Sequence, residues 1–232
     1  MGAEATGPSA VRVAEVGQES GEPEQTAIPW ELGGPPGQVA VQLRTTLARV
    51  TVGAGLARRP GLLTAVRAIP GLPGVATSPV GGTFVVGGPA WLGLTAVATL
   101  PSPVVFPIDW MLGTVAGWLR GFLGPLGVAL TLGPVPGAWC PGFSDGQVGG
   151  RKLVGLGFRV SRGRIACRGM VAILPMAPRD LEWLAATHRL IDLAVHPERC
   201  TSLVECTGDP SWTTSAAIAG LSQAPTSGWA AA

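Results

Sequence analysis

Tyrosine is absent from the chain, and lysine nearly so: Lys and Arg together number 16, and all but Lys152 are arginine. Charged side chains make up 13% of the 232 residues and the formal net charge is +2, which argues against a chain that coats nucleic acid through a broad basic surface. The four cysteines, Cys140, Cys167, Cys200 and Cys206, are too few and too irregularly spaced for a disulfide scaffold. None forms a Cys-x-x-Cys pair, so no metal site is expected. At the N-terminus no basic segment precedes an apolar run, which reads as neither a secretory signal nor an Arg-rich transit peptide. The expected location is cytoplasmic.

Long apolar runs are missing too. No charge occurs from Ala68 to Ile108 or from Gly121 to Ser144, yet seven prolines and seven glycines interrupt the first of these stretches. Its longest proline-free run, Ala90 to Leu100, has 11 residues, against the roughly 20 that a helical membrane crossing needs. Short apolar runs bounded by Gly and Pro read instead as buried strands, and a membrane protein is disfavoured.

In excess are 35 Gly, 22 Pro and a 47% share of hydrophobic residues, with a mean hydropathy of +0.38. That apolar content can offset ordering entropy, so a folded domain is expected, and glycines without a three-residue period exclude collagen. The use of Arg for Lys, with abundant Gly, Ala, Pro and Val, fits a G+C-rich coding sequence. Against that bias one retained lysine suggests a position where arginine would not serve.

The chain reads as a partly disordered segment over 1–38 with an edge strand at Ala10–Val16, a domain over 39–222, and a flexible tail over 223–232. Residues 39–68 read as a basic helical or mixed segment. Strands are expected at Thr83–Val86, Leu92–Leu100 and Val104–Phe106. Asp109 is placed to cap a helix reaching Leu123 with Met111, Val115, Trp118 and Phe122 on one apolar face. After a Gly/Pro-rich connection over 124–144, strands Lys152–Val160 and Ile165–Ile173 form a hairpin turning at Ser161–Arg164. A second amphipathic helix spans Arg179 to Val195, with Leu181, Leu184, Ala185 and His188 on one face, and a third follows Ser211. This order predicts one α+β domain, helices packed on a mixed sheet.

The densest chemistry lies in Gly149-Gly150-Arg151-Lys152-Leu153-Val154-Gly155-Leu156-Gly157. A lysine at a strand start is followed by glycines inside the strand, and such glycines mark close approach of a ligand or of another backbone. Arg151, Arg159, Arg162, Arg164 and Arg168 lie around it without a carboxylate; a basic patch that steers acidic partners and a solvated hairpin are both open readings.

Here the sequence resembles the octanoyltransferases of the lipoyl pathway, within the biotin/lipoate ligase and transferase superfamily. Lys152–Gly163 looks like their lysine-led strand and Arg-Gly turn. Gly81-Gly82-Thr83 through Gly87-Gly88-Pro89-Ala90 resembles their Arg-Gly-Gly loop leading into His-Gly-Pro-Gly, and Asp180–Leu184 with Thr201-Ser202-Leu203 resembles their closing helix and Thr-Ser-Leu signature. The chain departs from the pattern at Val80, where the family has arginine, at Gly87 and Arg168, where it has histidines, and in lacking Pro-Cys-Gly before Thr201.

The resemblance implies the fold of the biotin/lipoate protein ligase catalytic core. It also implies transfer of an octanoyl or lipoyl group from acyl carrier protein to a lysine on the lipoyl domains of 2-oxoacid dehydrogenase complexes, without a cofactor. Catalysis is then expected of Lys152 with either Cys200, directly before Thr201, or Cys140, 12 residues before the lysine. A cysteine would split a slow amine attack on a thioester into two easier steps. Gly81, Gly82, Thr83, Gly88, Gly155, Gly157 and Gly169 form the expected substrate-binding set, with Trp91 and Phe106 in an acyl pocket. Two other readings stay open: an inactive relative that binds an acyl group or carrier protein, and an ATP-dependent lipoate ligase, since Lys152-Leu153-Val154-Gly155 also looks like the ligase KxxG motif.

Overall fold

Alternation along Gln38–Thr45 builds the strand around which the fold is organised: Val39, Val41 and Leu43 are buried on one face, Ala40, Gln42 and Arg44 point to the other. A computed structural model of the chain describes residues 10–18, 27–102 and 106–225. The strand just named is β2; the parallel β1 (Ala10–Gln18) pairs with it at the sheet edge, as the sequence predicts. The sheet continues through β6 (Trp91–Thr99), β10 (Arg164–Ala172), β9 (Arg151–Ser161), β8 (Gly146–Val148) and β7 (Thr131–Leu132), all antiparallel to their neighbours. A second sheet sets β3 (Val50–Gly53) between the parallel β4 (Val75–Ser78) and the antiparallel β5 (Phe84–Val86).

Helices close both sides. On the β2 Val39–Leu43 face lie α3 (Pro107–Leu123), through Met111, Val115, Trp118 and Phe122, and α6 (Thr214–Gln223), through Ala217, Ile218 and Leu221. The small sheet packs with α1 (Ala54–Ala57), α2 (Leu62–Arg67) and α4 (Pro178–Arg189) around Trp91, Trp139 and Phe84. The short α5 (Leu203–Thr207) is capped by Ser202, whose Oγ accepts the Glu205 N–H at 3.3 Å and donates to the Glu205 carboxylate at 2.8 Å. The chain is therefore an α+β fold with a mixed sheet and packed helices. Among the described residues no helix is long and apolar enough to cross a membrane.

The hairpin expectation holds closely: β9 and β10 are joined by Arg162-Gly163, both at positive φ (47° and 73°), the twist-matching two-residue turn. Elsewhere the structure differs from the sequence expectation. Of the helical and mixed readings of residues 39–68 the mixed one holds: β2 and β3 come first, where tertiary pairing overrides helix propensity, and the short α1 and α2 follow. Asp109 does not cap α3, which begins at Pro107, so its carboxylate sits in the first turn where the helix dipole favours it. The helix expected over 179–195 ends at Arg189, and β7, β8 and α5 were not foreseen in glycine-rich and short segments. Residues 1–9 and 19–26 of the expected N-terminal segment, 226–232 of the expected tail and 104–105 of the third expected strand lie outside the described residues; Phe106 precedes α3 and is 69% exposed.

Two glycines let the Gly81 loop lie close against both sheets. A methyl on residue 157 would lie 3.0 Å from the Gly81 nitrogen, and one on residue 53 would lie 2.6 Å from the Gly81 carbonyl oxygen. Replacing Gly157 by Ala is expected to cost about 1–3 kcal/mol through backbone displacement. A lowered urea midpoint at unchanged slope checks this, and an unchanged midpoint would contradict the close approach.

Candidate functional site

Lys152 enters the protein at the start of β9 and no part of its side chain is exposed. Its ammonium has three donors and finds three acceptors: Asp145 Oδ1 at 2.7 Å, the Trp139 carbonyl at 2.8 Å and the Cys140 carbonyl at 2.6 Å. The Trp139 ring lies 4.1 Å from Nζ, adding a cation–π contact. Asp145 is equally buried, and its second oxygen accepts the Gly142 N–H at 3.0 Å. Burial pushes the Asp145 carboxyl above the usual carboxylate range, and the Lys152 charge opposes that rise.

These bonds tie down a strap, Trp139-Cys140-Pro141-Gly142. Cys140 adopts a left-handed backbone at φ 41°, which a non-glycine residue holds only when its surroundings enforce it. Lys152 holds its carbonyl, and on the other side its N–H donates to His188 Nε2 at 3.4 Å. His188 is fully buried on α4, and its Nδ1 faces the Leu184 carbonyl at 2.8 Å. A carbonyl only accepts, so Nδ1 carries the proton and Nε2 is the acceptor. Burial holds the imidazole below its ordinary pKa, with the Lys152 charge acting in the same direction.

The strap forms one wall of a cavity of about 170 Å³ between the two sheets, room for on the order of ten waters and so for a medium-length acyl chain. Its floor is the β2–β9 face of the large sheet, lowered by Gly93, Gly155 and Gly157; Val80, Gly81, Gly82 and Thr83 close it from the opposite side. Met170 and Val85 supply apolar surface; Leu94 and Leu156 border the cavity too, but they alternate with Gly93 and Gly155 and their side chains belong to the core on the α3 side of the sheet. Gly155 has a specific reason to be glycine: a methyl there would fall 2.6 Å from Cζ3 of Trp139, the ring that covers Lys152.

The sequence candidates divide clearly. Cys140, Gly81, Gly82, Thr83, Gly155, Gly157 and Gly169 line the cavity, with Lys152 directly behind Trp139. Gly88 does not line it; Thr46 Oγ1 accepts its N–H and donates to its carbonyl, both at 2.8 Å, fixing a turn. Cys200 pairs with Lys152 through the backbone, Thr201 N–H donating to the Lys152 carbonyl at 3.0 Å, but its side chain borders a separate hollow of about 130 Å³ beside Arg151 and Glu205. Its thiol, 4% exposed, is pushed up by burial, which disfavours a thiolate there. Trp91 packs edge-on against Trp139 outside the lining, and Phe106 is at the surface, so the expected acyl-pocket pair is replaced by the side chains above. The basic hairpin also splits: Arg168 lines the cavity, Arg151 pairs with Glu205 at 3.1 Å, and Arg159, Arg162 and Arg164 are exposed. Of the family departures, Val80 and Arg168 both line the cavity.

Asp145 was missed in the sequence, although it is the sole carboxylate between Asp109 and Asp180. His188 was seen as part of a helix face, with no sign of its bond to Cys140.

No family model and no curated protein sequence matches the chain. Likeness lies in three dimensions. A lipoate-protein ligase A bound with ATP matches at a TM-score of 0.60 and 15% identity, covering 92% of this chain and 82% of the other. The bi-partite lipoate protein ligase of Thermoplasma acidophilum, solved with its E2 lipoyl domain, matches at 0.55 and 12%, covering 91% and 83%. A T. acidophilum protein named as a lipoate protein ligase, with lipoic acid bound, matches at 0.58 and 15%, covering 79% and 69%. These likenesses show that the chain has the fold of lipoate-ligase catalytic cores.

Lys152→Met leaves Asp145 buried without its partner and is expected to cost about 3–5 kcal/mol in urea unfolding. The Lys152→Met/Asp145→Asn double variant should lose clearly less than the two single losses combined, since the pair acts as a unit; additive losses would contradict the ion pair. For His188 the sign follows from its lowered pKa: the unfolded imidazole protonates near 6.5 while the folded one resists, so stability falls as pH drops below about 6.5. Asp145 and Asp180, both held above 3.8, act in the opposite sense at lower pH. Guanidinium titrations from pH 7.5 to 5 should show the decline in the native chain and lose it in His188→Gln; an equal decline in both would remove the buried neutral histidine.

Proposed function

We propose that the chain transfers an octanoyl or lipoyl group in protein lipoylation, with Cys140 as the residue that carries the acyl group. The observation that carries this reading is the position of Cys140: it is the cysteine lining the apolar cavity, on a strap whose backbone Lys152 and His188 grip from two sides. The fold of lipoate-ligase cores and the resemblance of Lys152–Gly163 to the octanoyltransferases support the same substrate class.

In this reading the Cys140 thiolate attacks the carbonyl carbon of an acyl-carrier thioester. The C–S bond to the carrier breaks, the carrier leaves as a thiolate that takes up the proton Cys140 gave up on ionising, and the acyl chain lies over the glycine floor. The neutral ε-amine of a lysine on a lipoyl domain then attacks the enzyme thioester; the C–S bond to Cys140 breaks, the amide forms, and the proton shed by the nitrogen ends on the Cys140 sulfur, returning the thiol. Lys152 acts on the strap. With all three donors occupied, it fixes the Trp139 and Cys140 carbonyls and so the left-handed backbone of the cysteine. Lys152→Arg is damaging because the wider guanidinium cannot fit between Asp145, two carbonyls and the Trp139 face.

An ATP-dependent lipoate ligase is the second reading, favoured by the KxxG-like Lys152–Gly155 segment and by a fold shared with a ligase whose structure holds ATP. Intact-mass analysis separates the two. Incubation with octanoyl-acyl carrier protein is expected to add one octanoyl group, removable by hydroxylamine, to the native chain and to Cys200→Ser but not to Cys140→Ser. An adduct that persists in Cys140→Ser would move the nucleophile elsewhere. Absence of any adduct, with adenylate formed from free lipoate and ATP, would establish the ligase.

A further inference from the structure

A cysteine thiol that attacks a thioester must first lose its proton, and few groups around Cys140 can take it. No aspartate, glutamate, histidine or lysine lines the cavity, and its two arginines are donors only. Lys152 is an ammonium with all three protons engaged, so it has no lone pair to offer. Asp145 faces that ammonium with one oxygen and receives the Gly142 N–H on the other. Of the chain's two histidines, His196 is half-exposed and pairs with Glu198 at 3.5 Å. Among the described residues this leaves His188, the group already in contact with Cys140.

The geometry of that contact suits a base. Nδ1 gives its proton to the Leu184 carbonyl at 2.8 Å, which leaves the lone pair of Nε2 aimed at Cys140. Leu184 lies one turn back on α4, so the orienting bond is built into the helix that carries the histidine. Phe84 of β5 packs edge-on against the imidazole, with ring centroids 5.5 Å apart. A cysteine, a base beside it and a third group that orients the base form the arrangement on which Cys–His catalysis rests.

Nε2 accepts the Cys140 backbone N–H at 3.4 Å, long against the usual length of about 2.9–3.0 Å for an N–H donor. So loose a bond is readily exchanged, and catalytic pairs are often this long before substrate closes the site. The sulfur is joined to the same nitrogen through Cα and Cβ alone, so rotation about χ1 sets how near it comes to Nε2. Burial and the Lys152 charge both hold the imidazole neutral, which makes it an acceptor at rest and a ready donor once protonated. The charged or titratable groups facing it are Lys152 from β9 and Cys140 from the strap, while β5 presents the Phe84 ring.

We propose that His188 is the general base of Cys140: its Nε2 takes the thiol proton as the sulfur attacks the acyl carbon, and delivers it to the sulfur of the departing carrier. The inference rests on the reading of Cys140 as the residue that carries the acyl group. In the second half-reaction Nε2 takes the proton shed by the attacking amine nitrogen and returns it to the Cys140 sulfur. The imidazole is neutral again at the end of each half-reaction, and no co-reactant is needed. Lys152 holds the strap, and His188 moves the proton.

Two measurements on the full chain test this. Alkylation of Cys140 by iodoacetamide from pH 5 to 9, read by peptide mass spectrometry, is expected to rise in two steps. The first is set by the imidazole, below 6.5, and the second by unaided ionisation of the thiol. In His188→Gln the side-chain oxygen accepts the Cys140 N–H but takes no proton, and the first step is expected to vanish. Octanoyl transfer from octanoyl-acyl carrier protein to Cys140 at neutral pH should slow about 10²-fold or more in the same variant. Lys152 should stay shielded from amine-reactive label there, which verifies that the strap is intact. A histidine that only positions the strap predicts unchanged transfer in His188→Gln, and that result overturns the base. A single rise proportional to hydroxide in the native chain overturns it as well, whatever the variant does. A two-step profile with no octanoyl adduct removes the acyl-transfer reading and leaves the base standing.

Discussion

A lysine ammonium sealed from water must find an acceptor for every proton it carries, and the candidate site is organised around that requirement. Lys152 meets it with one carboxylate and two backbone carbonyls, capped by an indole face. Removing such a charge from water costs several kcal/mol, repaid only when the geometry of its partners is close to complete. The consequences run outward. Asp145 must be present as counterion, and Gly142 must supply its N–H to the second carboxylate oxygen. Residue 155 must lack a side chain so that Trp139 can lie over the ammonium, and the strap through Cys140 must turn its carbonyls inward. A left-handed cysteine at the cavity wall is thus a by-product of satisfying a buried charge.

The same arrangement separates two cysteines that lie near one lysine. Cys200 shares a backbone bridge with Lys152, yet its thiol is buried against the His196 and Trp139 carbonyls and is disfavoured as a thiolate. Cys140 touches Lys152 through its carbonyl and lines the cavity. Proximity in the fold is therefore not shared access to the site: one cysteine braces the start of β9, the other borders the space in which a ligand would sit. His188 adds the second grip on the Cys140 backbone, made through a neutral imidazole whose tautomer the Leu184 carbonyl fixes.

Much of the architecture was legible in the sequence because it is written in local chemistry. The Arg162-Gly163 turn, the apolar stripe of α3 and the alternation of β1 each follow from rules spanning a few residues, and the lone lysine in an arginine-rich chain stood out on composition alone. The features that were not legible depend on long-range pairing. Residues 39–68 carry many arginines and no proline before Pro60, yet fold first as strands, because β6 and β5 are there to pair with. Trp91 sits in an apolar run and reads as pocket lining, but it is Trp139, from the Gly/Pro-rich connection, that walls the cavity. Gly88 looked like a loop glycine for substrate and instead closes a turn against Thr46. The choice between Cys140 and Cys200 turns on which of two separate hollows each borders, which spacing along the chain does not encode.

The single lysine makes the central constraint directly measurable. Amine-reactive labelling of the native chain, followed by peptide mass spectrometry, reports on Lys152 with no other lysine to interfere. A fully buried ammonium with all three protons engaged predicts label on the N-terminal amine alone, with Lys152 labelled only once denaturant unfolds the protein. Native-state labelling of Lys152 as fast as that of an exposed lysine in a reference peptide would contradict the buried clamp, and with it the mechanism by which the Cys140 strap is held.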